Sequence, residues 1–177
     1  ERQWAWMDEG INTFVQYITE QKLGKDFPEI IYPLENFPSD RGPAEMITRY
    51  MSVDQNFLAP IMSNPENVYS LGPIAYGKPA TALNILRETI MGRELFDHAF
   101  KIYSKRWKFK HPSPEDFFRT MEDASAVDLD WFWRGWFYTT DHVDINLDEV
   151  KYFIVNDKNI EKSKNEKRNT FNDIQKR

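Results

Sequence analysis

Glu9 is the side chain near the amino-terminal end of the sequence that is best placed to do chemistry. It lies in the segment Trp4-Ala-Trp-Met-Asp-Glu-Gly-Ile-Asn-Thr-Phe14, and the apolar spacing predicts a helix from residue 6 to about residue 23. Asn12 and Thr13 follow one turn later, on the same polar strip of that helix. A carboxylate beside small polar groups could bind a metal in a cleft, but a Glu at a helix start more often only stabilises the helix dipole.

The rest of the sequence offers few other reactive patterns. Its three histidines, His98, His111 and His142, include no pair four residues apart, so no two of them can bind one metal from a single helix face. The sequence has no cysteine, no glycine-rich phosphate loop and no G-x-S-x-G motif, which excludes disulfides and thiolate metal sites. The net charge of −5 argues against a nucleic-acid binder, and no apolar run approaches the roughly 20 residues of a membrane span.

Hydrophobic periodicity predicts a mainly α-helical chain, and 177 residues suffice for one domain with a sizeable core. We expect Gly24 to end the first helix, and further helices are predicted at 44–51, 76–91, 94–107, 114–125 and 129–137. Ser113 and Asp128 are the predicted caps of the last two helices. The tryptophan-rich final helix is apolar on most sides, which predicts its burial. Residues 25–43 and 52–75 contain several prolines and are predicted to be irregular.

The period of the pattern changes after the last helix. Apolar and polar residues alternate at 143–147 and again, with the opposite parity, at 150–154, so residues 141–155 are predicted to form a β hairpin or strand segment. Residues 156–177 are polar and net basic, and we interpret them as a tail that starts a following segment. The predicted layout is a helical region at 1–140, a short β segment and this tail.

Three segments form an ordered set in the sequence: Trp6-Met-Asp-Glu-Gly10, Tyr76-Gly-Lys-Pro-Ala80 and Asp128-Leu-Asp-Trp-Phe-Trp-Arg-Gly-Trp136. They resemble, respectively, the W-[LM]-[ND]-E-G, Y-x-K-G-A and D-L-x-W-F-F-x-x-W segments of the M1 family of zinc aminopeptidases, which are gluzincins. Order and approximate separation match as well, over about residues 1–140. Pro79 departs from the pattern, because many members have glycine there.

The resemblance implies a fold and a site. The fold would be the helical carboxy-terminal subdomain of a thermolysin-like metallopeptidase catalytic domain, and the substrate would be a peptide. Glu9 matches the third ligand of the family's single zinc ion, and Tyr76 matches the tyrosine that hydrogen-bonds the oxyanion of the tetrahedral intermediate. Asn12 and Thr13 are further candidates, as outer partners that hold the zinc ligand in place.

The family's H-E-x-x-H and G-x-M-E-N segments do not occur in the sequence, and we expect them upstream of Glu1 in a longer parent protein. With one ligand of three and no general base, the chain alone is predicted to hold no catalytic zinc and to cleave no peptide. Apolar faces built to pack on the missing segment could then drive self-association. The compartment and the residue preference of the peptidase stay open.

Two other interpretations remain open. A relative with a degenerate H-E-x-x-H would keep the fold as a non-catalytic peptide-binding or scaffolding module. A helical interaction domain with a coincidental resemblance would place Glu9 and Tyr76 on opposite faces of the molecule.

Overall fold

The described part of the chain is helical, in a computed structural model that describes residues 3–31, 42–143 and 145–152. The seven α-helices among these residues are α1 (Glu9–Asp26), α2 (Pro28–Ile31), α3 (Gly42–Met51), α4 (Lys78–Ile85), α5 (Arg93–Trp107), α6 (Pro114–Ser125) and α7 (Asp130–Tyr138). Short 3₁₀ turns lie at Ala5–Met7, Gln55–Phe57 and Pro65–Asn67, and π-helical turns lie at Pro73–Gly77 and Leu86–Ile90. The predicted mainly α fold is therefore confirmed.

Helix α1 runs past the residue that was expected to end it. Gly24 lies inside the helix, which continues to Asp26 and gives way at Phe27. The reason is Pro28, because a residue before proline is driven out of the helical region, whereas a glycine within a helix costs only about 1 kcal/mol. The expectation that Gly24 is the stop was wrong, and the proline decides the boundary.

Helices α5 and α6 begin and end where the sequence predicts. Gly92 takes a φ of +79° between the second π-helical turn and α5, a conformation that suits glycine. Ser113 caps α6 through a reciprocal pair of hydrogen bonds with Asp116, so the predicted cap is confirmed. The two helices pack against each other.

Helix α7 differs from its prediction in two details. Leu129 occupies the N-cap position, and the Asp128 carboxylate accepts a hydrogen bond from the Asp130 amide at 3.1 Å. Phe132, Trp133 and Phe137 are buried as predicted, but the side chain of Trp131 is 62% exposed. The helix therefore packs on one side and presents an indole to the surface on the other.

An aromatic cluster forms the core at one side of the helices. Trp6 from the first 3₁₀ turn is 1% exposed and stacks on Phe118 of α6, with ring centres 5.8 Å apart. Phe137 of α7 lies 4.7 Å from Trp6, and Trp133 stacks on Phe118 at 4.6 Å. Aromatic pairs of this kind add about 0.5–1.5 kcal/mol each beyond the area they bury. The start of α1 is therefore fixed against α6 and α7.

The chain divides into two compact units after Asp141. In the second unit, the described residues 142–143 and 145–152 form no strand, so the predicted β segment is not confirmed there. Their alternating side chains are exposed, and alternation without a partner surface does not stabilise a hairpin. Residues 153–177, with the end of the predicted hairpin and the predicted tail, and residues 32–41 lie outside the described residues. None of the helices in the described ranges is long and apolar enough to cross a membrane.

Candidate active site

Glu9 and Tyr76 are neighbours in the folded chain, although 66 residues separate them in sequence. Glu9 is the first residue of α1, Tyr76 lies in the π-helical turn before α4, and both side chains are half-buried. The Glu9 carboxylate lies close enough to the Tyr76 phenol to raise its pKa, chiefly by acting as a hydrogen-bond acceptor. Since the carboxylate is the acceptor, the phenol is the donor in this pair.

The environment keeps the Tyr76 phenol protonated. The hydrogen bond to Glu9 raises the pKa of Tyr76 most, and burial and the negative charges of Glu9 and Asp8 raise it further. Each cause disfavours the phenolate, because the phenolate would lose the bond and face two carboxylates. Tyr76 is therefore a neutral O–H donor throughout the neutral pH range.

Gly10 allows the two elements to come this close. A Cβ atom on Gly10 would lie 2.6 Å from Cγ of Pro79 and 3.0 Å from the carbonyl oxygen of Ala75. Distances this short would force α1 and the Tyr76 turn apart. A hydrogen atom at position 10 is thus a condition for the contact between residues 9 and 76.

The π-helical turn at Pro73–Gly77 lies next to Pro79, which cannot donate a backbone hydrogen bond. Proline has no N–H, so Pro79 cannot donate to a preceding carbonyl. The Lys78 amide bonds the carbonyl of Pro73, five residues back, instead of the usual partner four residues back. Single π turns are common at functional sites, and this one carries Tyr76.

Trp6 anchors the segment that leads into Glu9. It is buried among Phe117, Phe118 and Phe137, three residues before Glu9. The Asp8 amide bonds the Ala5 carbonyl, which continues the chain directly from the 3₁₀ turn into α1. The tryptophan therefore fixes the position at which α1 starts, and Glu9 is the first residue of that helix.

Thr13 and Asn12 take different places relative to Glu9. The Thr13 hydroxyl is buried and donates to the main-chain carbonyl of Glu9 at 2.6 Å, so its partner is the backbone of Glu9 and not the carboxylate. Asn12 is exposed at the surface of α1. Their predicted roles as partners of a metal ligand stay predictions.

The described residues place a single candidate ligand, the Glu9 carboxylate, at this point. A carboxylate suits a divalent cation, but Glu9 belongs to no group of three ligating side chains in the described ranges. His98, His111 and His142 are all exposed. The one acidic group found there, Glu122 with Asp128 and Asp130, already uses two carboxylates as hydrogen-bond acceptors for the Leu129 and Asp130 amides. Glu9 therefore fits a partial ligand set that needs imidazoles from elsewhere.

Two residues of the site were not singled out from the sequence. Gly10 and Lys78 stand inside the first and second motifs, but spacing alone does not show that one meets a proline and that the other is buried. A lysine within a run of apolar helix residues was the available signal for Lys78.

Comparison with known proteins places the chain in a family. The model of the peptidase family M1 domain matches residues 2–136, which include Glu9, Tyr76 and all of α7 except its last two residues. Searches of the curated proteins and of the solved structures found no match. Since the family match spans most of the chain, the protein belongs to peptidase family M1.

Proposed function

We propose that this chain contributes the third zinc ligand and the oxyanion-stabilising tyrosine of a zinc metallopeptidase, an aminopeptidase by its resemblance. Glu9 is the ligand and Tyr76 is the tyrosine. The closeness of the two side chains carries the proposal: Glu9 raises the pKa of Tyr76, and the adjacent Gly10 lies against Ala75 and Pro79. Membership in peptidase family M1 supports a peptide as the substrate.

Each side chain has a defined task in this proposal. The Glu9 carboxylate, held at the first turn of α1, binds the cation from a fixed direction. Glu9 and two histidines from elsewhere would hold the zinc ion, which would polarise the scissile carbonyl and activate water. Tyr76 would then donate its O–H to the carbonyl oxygen that gains negative charge.

We expect the chain to be inactive alone. Its sequence has no H-E-x-x-H segment, and the exposed histidines form no ligand group with Glu9 among the described residues. In this proposal the two imidazole ligands and the general base come from a segment outside residues 1–177.

The test uses the longer protein that carries this chain and an H-E-x-x-H segment. In Glu9→Ala, zinc content and peptide cleavage should both be lost. In Tyr76→Phe, zinc content should be kept while kcat falls about 10²- to 10³-fold, the usual cost of an oxyanion donor. Glu94→Ala is the matched control for the carboxylate, because Glu94 is also a first-turn residue of a helix and is exposed.

Tyr69→Phe is the control for the tyrosine, since the Tyr69 side chain is 80% exposed. Full zinc content in Glu9→Ala would overturn the ligand assignment. If the longer protein carries a degenerate H-E-x-x-H and binds peptides without cleaving them, the non-catalytic module is the correct interpretation.

A further inference from the structure

Lys78 is a buried cation beside the candidate active site. It is the first residue of α4, two residues after Tyr76, and it is 3% exposed. Its Nζ donates to the Tyr50 hydroxyl of α3 at 3.0 Å and to the Thr139 carbonyl, just after α7, at 3.0 Å. The Nζ also lies 4.8 Å from the centre of the Tyr50 ring, within range of a cation–π interaction.

This ammonium is held by neutral groups. Among the described residues it forms no salt bridge, and Asp141 attracts it only through longer-range electrostatics. Burying a charge without a close counter-charge costs free energy, and an apolar side chain of the same length would avoid that cost. Stability alone therefore does not explain a lysine here.

The two hydrogen bonds tie Lys78 to supports outside its own helix. Tyr50 is itself buried, and α3 packs on both α4 and the π-helical turn. Thr139 follows directly on α7, and its hydroxyl is bonded to the Gly135 carbonyl. Both acceptors are thus held in place by contacts that do not involve Lys78.

Helix α7 also supports Glu9. Phe137 of α7 contacts Trp6, which sets the start of α1, while Thr139 at the end of α7 accepts from Lys78. The segments that carry Glu9 and Tyr76 are therefore both held against α7, the first through Trp6 and the second through Lys78. The Lys78 bond to Thr139 links the turn that carries Tyr76 to this helix, alongside the Lys78 bond to Tyr50 of α3.

We propose that Lys78 is a positioning residue for Tyr76: its ammonium fixes the π-helical turn against α3 and the end of α7, so that the Tyr76 phenol meets the Glu9 carboxylate. The geometric part concerns the chain itself, and the catalytic consequence rests on the function proposed above. Lys78 touches neither Glu9 nor the reacting atoms in this proposal.

The first test measures geometry in the present chain. Lys78→Met removes the ammonium and keeps the length, Tyr50→Phe removes one acceptor, and Lys101→Met removes an exposed lysine as the control. Nuclear Overhauser contacts between the Tyr76 ring and Glu9 or Gly10 report whether the turn stays in place, and circular dichroism reports folding. We expect folded variants in which these contacts weaken in Lys78→Met and in Tyr50→Phe but not in Lys101→Met.

The second test measures turnover in the longer zinc-bound protein. Lys78→Met should keep its zinc and its KM and lose about 10-fold in kcat, since misplacing a catalytic group acts on the chemical step. Lys78→Arg should recover part of this loss. Unchanged Tyr76 contacts together with unchanged kcat in Lys78→Met overturn the proposal.

The two proposals fail in distinguishable ways. If Tyr76→Phe keeps full kcat while Lys78→Met still loosens the Tyr76 contacts, the catalytic role of Tyr76 is wrong and the positioning role of Lys78 stands. If Tyr76→Phe loses kcat while Lys78→Met alters nothing, only the Lys78 proposal fails. Should Lys78→Met not fold, Tyr50→Phe decides alone, because it keeps the ammonium and its bond to Thr139; unchanged Tyr76 contacts in that variant would overturn the proposal.

Discussion

Gly10 and Pro79 lie in direct contact, with room between α1 and α4 for a hydrogen atom but not for a methyl group. This contact sits next to both candidate site residues, since Glu9 precedes Gly10 and Tyr76 lies three residues before Pro79. The spacing of the two helices and the geometry of the site are therefore set by the same pair.

Gly10→Ala should destabilise the chain by about 1–3 kcal/mol, the usual cost of overpacking a well-packed interface. The added methyl would meet the Pro79 ring at 2.6 Å, and a proline ring cannot swing away as a flexible side chain does. Urea unfolding followed by circular dichroism measures the change. Gly135→Ala is the control, because nothing lies within 4 Å of its Cβ position in α7, and there alanine should stabilise by up to about 1 kcal/mol. Equal stabilities of Gly10→Ala and Gly135→Ala would contradict the close approach.

Glu9→Gln should lower the pKa of Tyr76 toward its ordinary value of 10.0. The glutamine removes the negative charge and the carboxylate acceptor, which are causes of the raised pKa. Nuclear magnetic resonance titration of the Tyr76 ring, in the presence of a chelator, gives the value directly. Glu94→Gln, at the start of α5, should leave it unchanged. A Tyr76 that titrates identically in Glu9→Gln and in the unaltered chain would show that the two side chains do not meet.

Lys78 should make stability depend on alkaline pH. Burial lowers its pKa from 10.5 to about 8, while Asp141 acts in the opposite direction. Between about pH 8 and about pH 10 the unfolded chain keeps this proton and the folded chain loses it, so the free energy of unfolding rises with pH. In this window the free energy of unfolding of the unaltered chain should therefore rise relative to that of Lys78→Met, by at most about 1.4 kcal/mol per pH unit. Below about pH 8 the difference should be constant.

Urea unfolding of both proteins across this range measures the gain. Lys101→Met, which removes an exposed lysine, should run parallel to the unaltered chain. Parallel curves for Lys78→Met as well would mean that the ammonium is not buried. The comparison must stop near pH 10, because the buried phenols of Tyr17 and Tyr103, whose pKa burial raises to about 12, reverse the slope above it.

Ser113→Ala should cost about 1 kcal/mol, as expected for a helix N-cap. The serine hydroxyl accepts from the Asp116 amide, and the Asp116 carboxylate accepts from the Ser113 amide. Phe117 and Phe118 follow in the first turns of α6, so the cap also holds part of the aromatic core. Thermal unfolding measures the loss. Ser104→Ala, in the last turn of α5 and exposed, should change stability by only a few tenths of that amount.

Some of this structure follows from local rules in the sequence. The Ser113-Pro114 start of α6 and the Gly92 turn before α5 depend on residues within a few positions of each other, so pattern and capping predict them. The proximity of Glu9 and Tyr76 was implied by the resemblance to a family and not by the pattern, because no local rule relates two residues so far apart in sequence.

Other features could not be predicted because they depend on what a residue meets in space. The π-helical turn at Tyr76 lies directly before Pro79, at the place where α1 comes close to α4. Trp131 and Trp133 are alike in sequence, but only Trp133 finds partners in α6, so one is exposed and the other buried. The alternation at 143–147 indicates which side chains would share a face of a strand. A strand also needs a neighbouring strand to pair with, and the pattern does not supply one.

The contact between Trp6 and Phe137 joins nearly opposite ends of the first unit, and this has a consequence for the order of folding. Contacts so distant in sequence form late, after the local helices, because the loop they close is long. During synthesis from the amino terminus, Glu9 leaves the ribosome before α7 and has no fixed place until α7 has emerged and docked. Glu9 is thus made well before the helix that completes its support, and a nascent chain stopped before α7 would hold an unformed site.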